Sequence, residues 1–216
     1  MLICGIDEAG RGPVIGPMVF AAVVIDEKDQ NKLVSLGVTD SKLLDPVTRE
    51  ELFSEVQKLA KEYTILSLSA ADITEWMKSA SLNDVEAIKT AEMLDSLDCT
   101  PDVAYIDCPD TLTSRYSQNI KNLSKKKMKI VAEHKADLNY RVVGAASILA
   151  KVTRDHEIQE LSKEYGKIGS GYPSDKITQK WLDDWWKKNR SFPECVRKRW
   201  ATVDRKAQLK LTEWPV

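Results

Sequence analysis

The chain of 216 residues and 24.4 kDa fits one domain, or one domain with a sizeable appendage, and its 43% apolar content is enough for a large core. The net charge of −1 hides an uneven distribution, since residues 176–216 carry eleven Lys/Arg against five Asp/Glu. An acidic body ahead of a basic C-terminal part fits an acid-lined site plus a region that tolerates polyanions; a merely solvated basic tail is the alternative. Four cysteines (Cys4, Cys99, Cys108, Cys195) without a CxxC pair, and only two histidines, His134 and His156, argue against a structural zinc site. No charged-then-apolar leader and no 18-residue apolar run occur, so the expectation is a soluble, reduced, cytoplasmic protein with no membrane partner; a monomer is expected as well.

Leu2 to Pro13 (LICGIDEAGRGP) opens as a short apolar run bounded by Gly and Pro, the pattern of a buried strand. Asp7 and Glu8 sit where that strand gives way to a turn, and neighbouring half-buried carboxylates are costly without a compensating cation. In Gly10-Arg11-Gly12, two flexible residues can present backbone N–H groups to an anion. The bland alternative is a strand and hairpin turn with solvated acids. Val14 to Ile25 predicts a second strand, antiparallel to the first, with Pro17 at its start or in a bulge. Gly37 to Lys42 is a polar loop. Asp45 to Tyr63 has helical periodicity, with Asp45 as cap and Pro46 as first position. Tyr63 to Ser69 alternates like a strand, and Ala70–Met77 and Leu82–Leu97 predict two helices, the second opened by Asn83, Asp84, Val85 and Glu86.

Asp102 to Asp107 reads as a short buried strand ending in a carboxylate. Lys129 to Glu133 is another, leading through His134-Lys135-Ala136 to Asp137, just ahead of a long helix from about Leu138 to Tyr165 with Gly166 as its stop. The run Gly144-Ala145-Ala146-Ser147 allows that helix to pack closely on a sheet. Ile168 to Asp175 is a glycine-rich loop whose Tyr172 is stiffened by Pro173. A last helix spans Lys176 to Asn189, with Ile177, Trp181 and Trp185 as a core-packing stripe.

Asp7, Glu8, Asp107 and Asp137 all fall at or just beyond strand ends, which form one rim of the sheet in α/β folds. Asp137 also reads as a plain helix N-cap. Oxygen-only ligands suit Mg²⁺ or Mn²⁺, and two such ions can activate water and stabilise the leaving oxygen of a phosphodiester. No Walker A sequence is present.

Gly5 to Pro13, Asp40-Ser41-Lys42, Asp107, His134-Lys135-Ala136-Asp137, the Ala145 to Asp155 run and Gly169 to Asp175 together resemble the motifs of type 2 ribonucleases H, the ribonuclease HII family, most closely its archaeal form. The resemblance covers roughly residues 1–200 and implies an α/β, ribonuclease H-like fold: a mixed five-stranded sheet flanked by helices, with a C-terminal helical segment. It divides the chain into a catalytic part, 1–167, and a basic, substrate-binding part, 168–216. It implies metal-dependent endonucleolytic cleavage of RNA in RNA–DNA hybrids and at ribonucleotides embedded in duplex DNA, leaving a 3′-OH and a 5′-phosphate, in replication and repair. By carry-over, Asp7, Glu8, Asp107 and Asp137 are the catalytic, metal-binding acids, holding two Mg²⁺ or Mn²⁺ ions with substrate bound. Gly10, Arg11 and Gly12 contact the 2′-OH, Tyr172 stacks on the following sugar, and Lys42, Lys151 and Arg154 contact backbone phosphates. A non-catalytic binding module or a junction resolvase of the same fold are the competing readings. The cluster Arg197-Lys198-Arg199, outside these motifs, is expected to add salt-dependent duplex affinity. In the tail, Gln208, Leu211 and Trp214 recur every third residue, similar to a sliding-clamp-binding peptide, with Pro215 where a second aromatic would stand; packing of Trp214 on the body is the alternative.

Overall fold

The structure, a computed structural model, describes residues 1–38 and 44–205; Lys42 in the polar loop and Gln208, Leu211 and Trp214 in the tail lie outside the described residues. In chain order the elements are β1 (Leu2–Ala9), β2 (Met18–Asp26), α1 (Gln30–Ser35), α2 (Pro46–Leu59), β3 (Glu62–Leu68), α3 (Ala70–Trp76), α4 (Leu82–Ser96), β4 (Val103–Asp107), α5 (Thr113–Leu123), β5 (Lys129–Glu133), α6 (Ala136–Asn139), α7 (Arg141–Tyr165) and α8 (Lys176–Asn189). The chain packs as two compact units, and neither is one run of sequence. The first comprises Met1–Ala9, Val19–Ser67 and Ser81–Thr153; the second comprises Gly10–Met18, Leu68–Ala80 and the chain from Arg154. These units cut across the 1–167 and 168–216 segments expected from the sequence.

The five strands form one sheet in the order β3-β2-β1-β4-β5. β2 runs antiparallel to β1, whereas β1, β4 and β5 are parallel, giving the mixed, helix-flanked sheet that the resemblance implies. Parallel strands end at the same sheet edge, so Asp7, Glu8 and Asp107 share a rim. One core gathers Ile3, Val19, Ala21 and Val23 of the sheet against Val142, Ala146 and Leu149 of α7. Close approach here depends on Gly5. A Cβ at Gly5 would collide with the Val142 carbonyl group and the Val143 nitrogen, so only glycine lets the start of α7 lie this near β1.

Several elements depart from the sequence expectation. α2 stops at Leu59, before Tyr63, because β3 begins at Glu62 and the Lys61 N–H is already bound to Val24 O at 2.9 Å. The cap of α4 is Ser81, in a capping box with Asp84, so Asn83 to Glu86 lie inside the helix. α5 was not apparent from the sequence; its Tyr116 and Ile120 are buried one turn apart. The expected helix from Leu138 is broken at Tyr140, whose backbone is extended. The Tyr140 hydroxyl donates to Glu133 Oε1 at 2.7 Å, and its ring stacks on Tyr105 at 4.0 Å, which turns the chain between α6 and α7.

In the second unit, Val14, Ile15, Ile158, Ile168, Leu182 and Val196 form a separate core. Gly10–Met18 belongs to it through its backbone. Val14 and Ile15 N–H both donate to Gly171 O (2.8 and 3.2 Å), Gly16 N–H donates to Cys195 O (2.8 Å), and Arg197 N–H donates to Val14 O (2.9 Å). α8 buries Thr178 and Leu182, with Trp181 and Trp185 flanking at a ring separation of 5.0 Å. Ile177 is 41% exposed, so it is not part of the expected core stripe: the inward face is centred one residue later in the helix.

Gly5→Ala is expected to cost about 2–3 kcal/mol, the upper part of the usual overpacking range because the clash is with backbone, seen as a lower urea midpoint at unchanged slope. A change below about 0.5 kcal/mol, the scale of a surface substitution, would show that α7 yields without strain.

Candidate active site

The β1–β4 register pairs Ile6 with Ile106, which makes Asp7 and Asp107 the next neighbours along the two strands. Side chains alternate across a strand, so Asp7 shares the face of Ile3 and Gly5, toward α7, and Asp107 shares the face of Tyr105. Asp7 is 6% exposed. Burial, and then the neighbouring Asp107 charge, push its carboxyl well above the usual carboxylate range; the Ser147 hydroxyl and the Glu8 N–H (2.7 Å to Asp7 Oδ1) pull the other way, and Asp137 adds to the repulsion. Asp107 Oδ1 accepts the Ala136 N–H at 2.8 Å, tying the end of β4 to the first turn of α6, where Asp137 is also buried. The N-cap position of α6 is Lys135, in a left-handed conformation, so Asp137 is not a cap.

Glu8 points to the opposite sheet face from Asp7, as strand alternation requires. Burial, and then the Glu8 charge, push the Tyr116 hydroxyl up; burial chiefly raises the Cys108 thiol, with Glu8 among the lesser nearby charges. The four acids therefore share a rim but divide by face. Among the described residues, no group of three His, Cys, Asp or Glu side chains is posed to hold a metal ion; Asp7 and Asp107 each turn one oxygen onto a backbone N–H. Lys151 is half-buried on α7.

In the second unit, Gly10 is held at φ +90°, and a Cβ there would lie 2.5 Å from Arg154 Nε and 2.7 Å from Pro17 O. That turn lies beside Tyr172, whose ring a Cβ on Gly12 would meet at 3.5 Å. Tyr172 is 41% exposed, on a loop fixed by Asp175. Asp175 Oδ2 accepts the Ser170 N–H (2.7 Å) and hydroxyl (2.8 Å), and Oδ1 accepts the Ile177 N–H (2.9 Å); these bonds hold its carboxyl down at about 2. Arg154 is 3% exposed, with Nη2 on Ser170 O at 3.1 Å and its guanidinium 5.4 Å from the Tyr172 ring centroid. It braces Tyr172 and Gly10 from within, rather than being displayed as the phosphate contact expected from the sequence.

The family model for ribonuclease HII matches residues 4–203. A ribonuclease HII from Pyrococcus furiosus is 50% identical over 203 residues, covering 94% of this chain and 90% of that protein. The chain belongs to the ribonuclease HII family. Among solved structures, the ribonuclease H2 of Pyrococcus horikoshii OT3 superposes with a TM-score of 0.92 at 44% identity, covering 99% of this chain and all of that one. The ribonuclease HII in a complex with PCNA from Archaeoglobus fulgidus superposes with a TM-score of 0.85 at 41% identity, covering 93% and 95% of the two chains. The archaeal resemblance, the ribonuclease H-like fold and the enzyme class read from the sequence are those of the family.

From the sequence, three residues of these clusters carry no site role. Ser147 stands in the Ala145 to Asp155 motif and in a run of small residues, with no role of its own. Arg197 is wholly buried and is no part of a displayed cluster; Lys198 and Arg199 are exposed. Trp200 donates its indole N–H to Gly12 O at 3.2 Å. The position of Arg197 directly after buried Val196, in a stretch with a Trp three residues on, was the available signal.

Proposed function

We propose that this protein is an endonuclease that cuts the RNA strand of RNA–DNA hybrids and the backbone at ribonucleotides embedded in duplex DNA, leaving a 3′-OH and a 5′-phosphate. Family membership supports the reaction class. The observation that carries the site assignment is Asp7: a buried carboxyl beside Asp107, with its charged form disfavoured, is a feature that a cation would relieve. Asp7, Glu8, Asp107 and Asp137 are an all-oxygen donor set suited to Mg²⁺ or Mn²⁺, proposed as two ions with substrate bound. When bound, such ions supply Lewis-acid activation of water and stabilisation of the leaving 3′ oxygen. Ser147 and the Glu8 N–H orient Asp7, and the Ala136 N–H orients Asp107. Each carboxylate has acceptor sites beyond these bonds.

Recognition falls to the second unit. The Gly10-Arg11-Gly12 turn contacts the ribose 2′-OH, which donates and accepts and is what separates RNA from DNA at such a site. Tyr172 packs on the next sugar. Lys42 and Lys151 neutralise phosphates. Residues 168–216 serve as the substrate-binding segment; a groove along α8, lined by Lys167, Lys176, Lys188, Trp181, Trp185 and the Lys180–Asp184 ion pair, supplies cations beside aromatics. The biological setting proposed is removal of primer and misincorporated ribonucleotides in the cytoplasm. Four unpaired cysteines fit that compartment, and among the described residues no helix is long and apolar enough to cross a membrane.

A labelled duplex with one ribonucleotide should be cut in Mg²⁺ or Mn²⁺ and left intact with chelator. Asp7→Asn and Asp107→Asn should each lower the rate more than about a hundredfold, beyond the effect of losing a residue that merely supports a ligand. Rates within about tenfold of the parent, no greater a loss than a supporting residue causes, would refute the ligand roles.

The Archaeoglobus fulgidus relative was solved with PCNA. We extend the proposal to a sliding clamp as partner, engaged by Gln208, Leu211 and Trp214, with one aromatic anchor fewer than usual. A peptide of residues 205–216 should bind the clamp of the same source, and its Leu211→Ala/Trp214→Ala version should not. Failure of the unaltered peptide to bind at high micromolar concentration would rule this out.

A further inference from the structure

Arg197 is fully buried, yet its guanidinium lies among backbone carbonyls. Nε donates to Gly16 O at 2.9 Å, Nη1 to Arg11 O at 3.1 Å, and Nη2 to both Gly10 O at 2.6 Å and Pro17 O at 2.7 Å. Its carbon centre stands 4.9 Å from the Trp200 ring centroid, and the Trp200 indole N–H holds Gly12 O. The carbonyls of three consecutive residues, Gly10, Arg11 and Gly12, are thus held by two side chains from the C-terminal stretch.

That grip has a directional consequence. Among the described residues no peptide bond is cis. In a trans peptide the N–H points opposite to the carbonyl of the same unit. With Gly10 O and Arg11 O drawn onto the guanidinium, the N–H groups of Arg11 and Gly12 face away from it. Gly12 is exposed, and the Tyr172 ring lies next to it. A two-glycine turn is otherwise among the freest stretches of backbone. Arg197 supplies what glycine cannot: a fixed direction for the donors. Its planar fork of five N–H groups can bridge four carbonyls at once, which a lysine ammonium cannot.

We propose that Arg197, assisted by Trp200, is a positioning residue for sugar recognition, fixing the Gly10-Arg11-Gly12 turn so that its outward N–H groups meet the 2′-oxygen of a ribonucleotide. This rests on the reading of that turn as the ribose contact. The inference assigns Arg197 to specificity rather than to the general duplex affinity expected of a surface cation.

The test compares two affinities, measured by fluorescence anisotropy in chelator so that nothing is cut: for a duplex DNA with one ribonucleotide, and for the same duplex in all-DNA form. The parent should prefer the first. Arg197→Lys keeps the charge and should shrink that preference about tenfold through lost charged hydrogen bonds, while all-DNA affinity stays within about twofold because the phosphate attraction is unchanged. Equal weakening on both duplexes, with the preference intact, would overturn the inference. Should Arg197→Lys fail to fold, Trp200→Phe takes its place: it keeps the aromatic face, removes the donor to Gly12 O, and should reduce the preference about threefold, the value of one neutral hydrogen bond; an unchanged preference again overturns the inference. Gly12→Ala separates this from the underlying reading. If neither Gly12→Ala nor Arg197→Lys alters the preference, or the parent has none, the turn does not read ribose and both proposals fall. If Gly12→Ala abolishes it and Arg197→Lys does not, only the role of Arg197 falls.

Discussion

Two carboxylates, Asp7 and Asp107, lie side by side on adjacent parallel strands, one of them almost wholly buried. Burial, and then the Asp107 charge, disfavour ionisation of Asp7. The fold holds them there regardless. The sheet register fixes their spacing, and Gly5 admits α7 close enough for Ser147 to reach Asp7. The bond from Ala136 N–H to Asp107 ties α6, and with it Asp137, to the end of β4. Strain of this kind persists where surrounding structure over-determines it, and functional sites are where it gathers. Hydrophobic packing in the first unit thus maintains an electrostatic arrangement that would otherwise relax.

The second unit uses charge in the opposite way. Its two buried arginines, Arg154 and Arg197, have guanidinium groups directed at backbone oxygens and aromatic rings. Asp175 ties together the loop that bears Tyr172 and caps α8 in the same set of bonds. A glycine-rich turn and an exposed tyrosine, both intrinsically mobile, are thereby pre-organised, so little ordering remains to be done when a ligand binds.

Much of this was legible in the sequence where a single local rule decides the outcome. Lys129–Glu133 read directly as a short strand and Lys176–Asn189 as a helix from its i, i+4, i+8 apolar spacing, and the acids at the ends of β1 and β4 marked the sheet rim. What escaped depended on partners distant in sequence. The break at Tyr140 arises from a hydroxyl held by Glu133 and a ring stacked on Tyr105, contacts that no helical periodicity records. α5 was obscured by its polar composition, although Leu112, Tyr116, Ile120 and Leu123 follow a helical spacing. The burial of Arg197 reverses the usual expectation for an arginine in a basic run, because its partners lie some 180 residues away in the chain. The division of Asp7 and Glu8 between two faces was available from strand alternation, and grouping the acids by rim concealed it.

The central claim is that Asp7 and its neighbours tolerate mutual repulsion in order to bind a cation. The most direct test is thermal unfolding of the parent and of Asp7→Asn at pH 8, first with chelator and then across a Mn²⁺ titration. The account predicts that without metal Asp7→Asn melts at or above the parent, since a destabilising buried charge has gone. It also predicts that Mn²⁺ raises the parent midpoint steadily with concentration, as a ligand selective for the folded state must, and moves that of Asp7→Asn far less. A lower metal-free midpoint for Asp7→Asn together with an equal Mn²⁺ response in both proteins would contradict it.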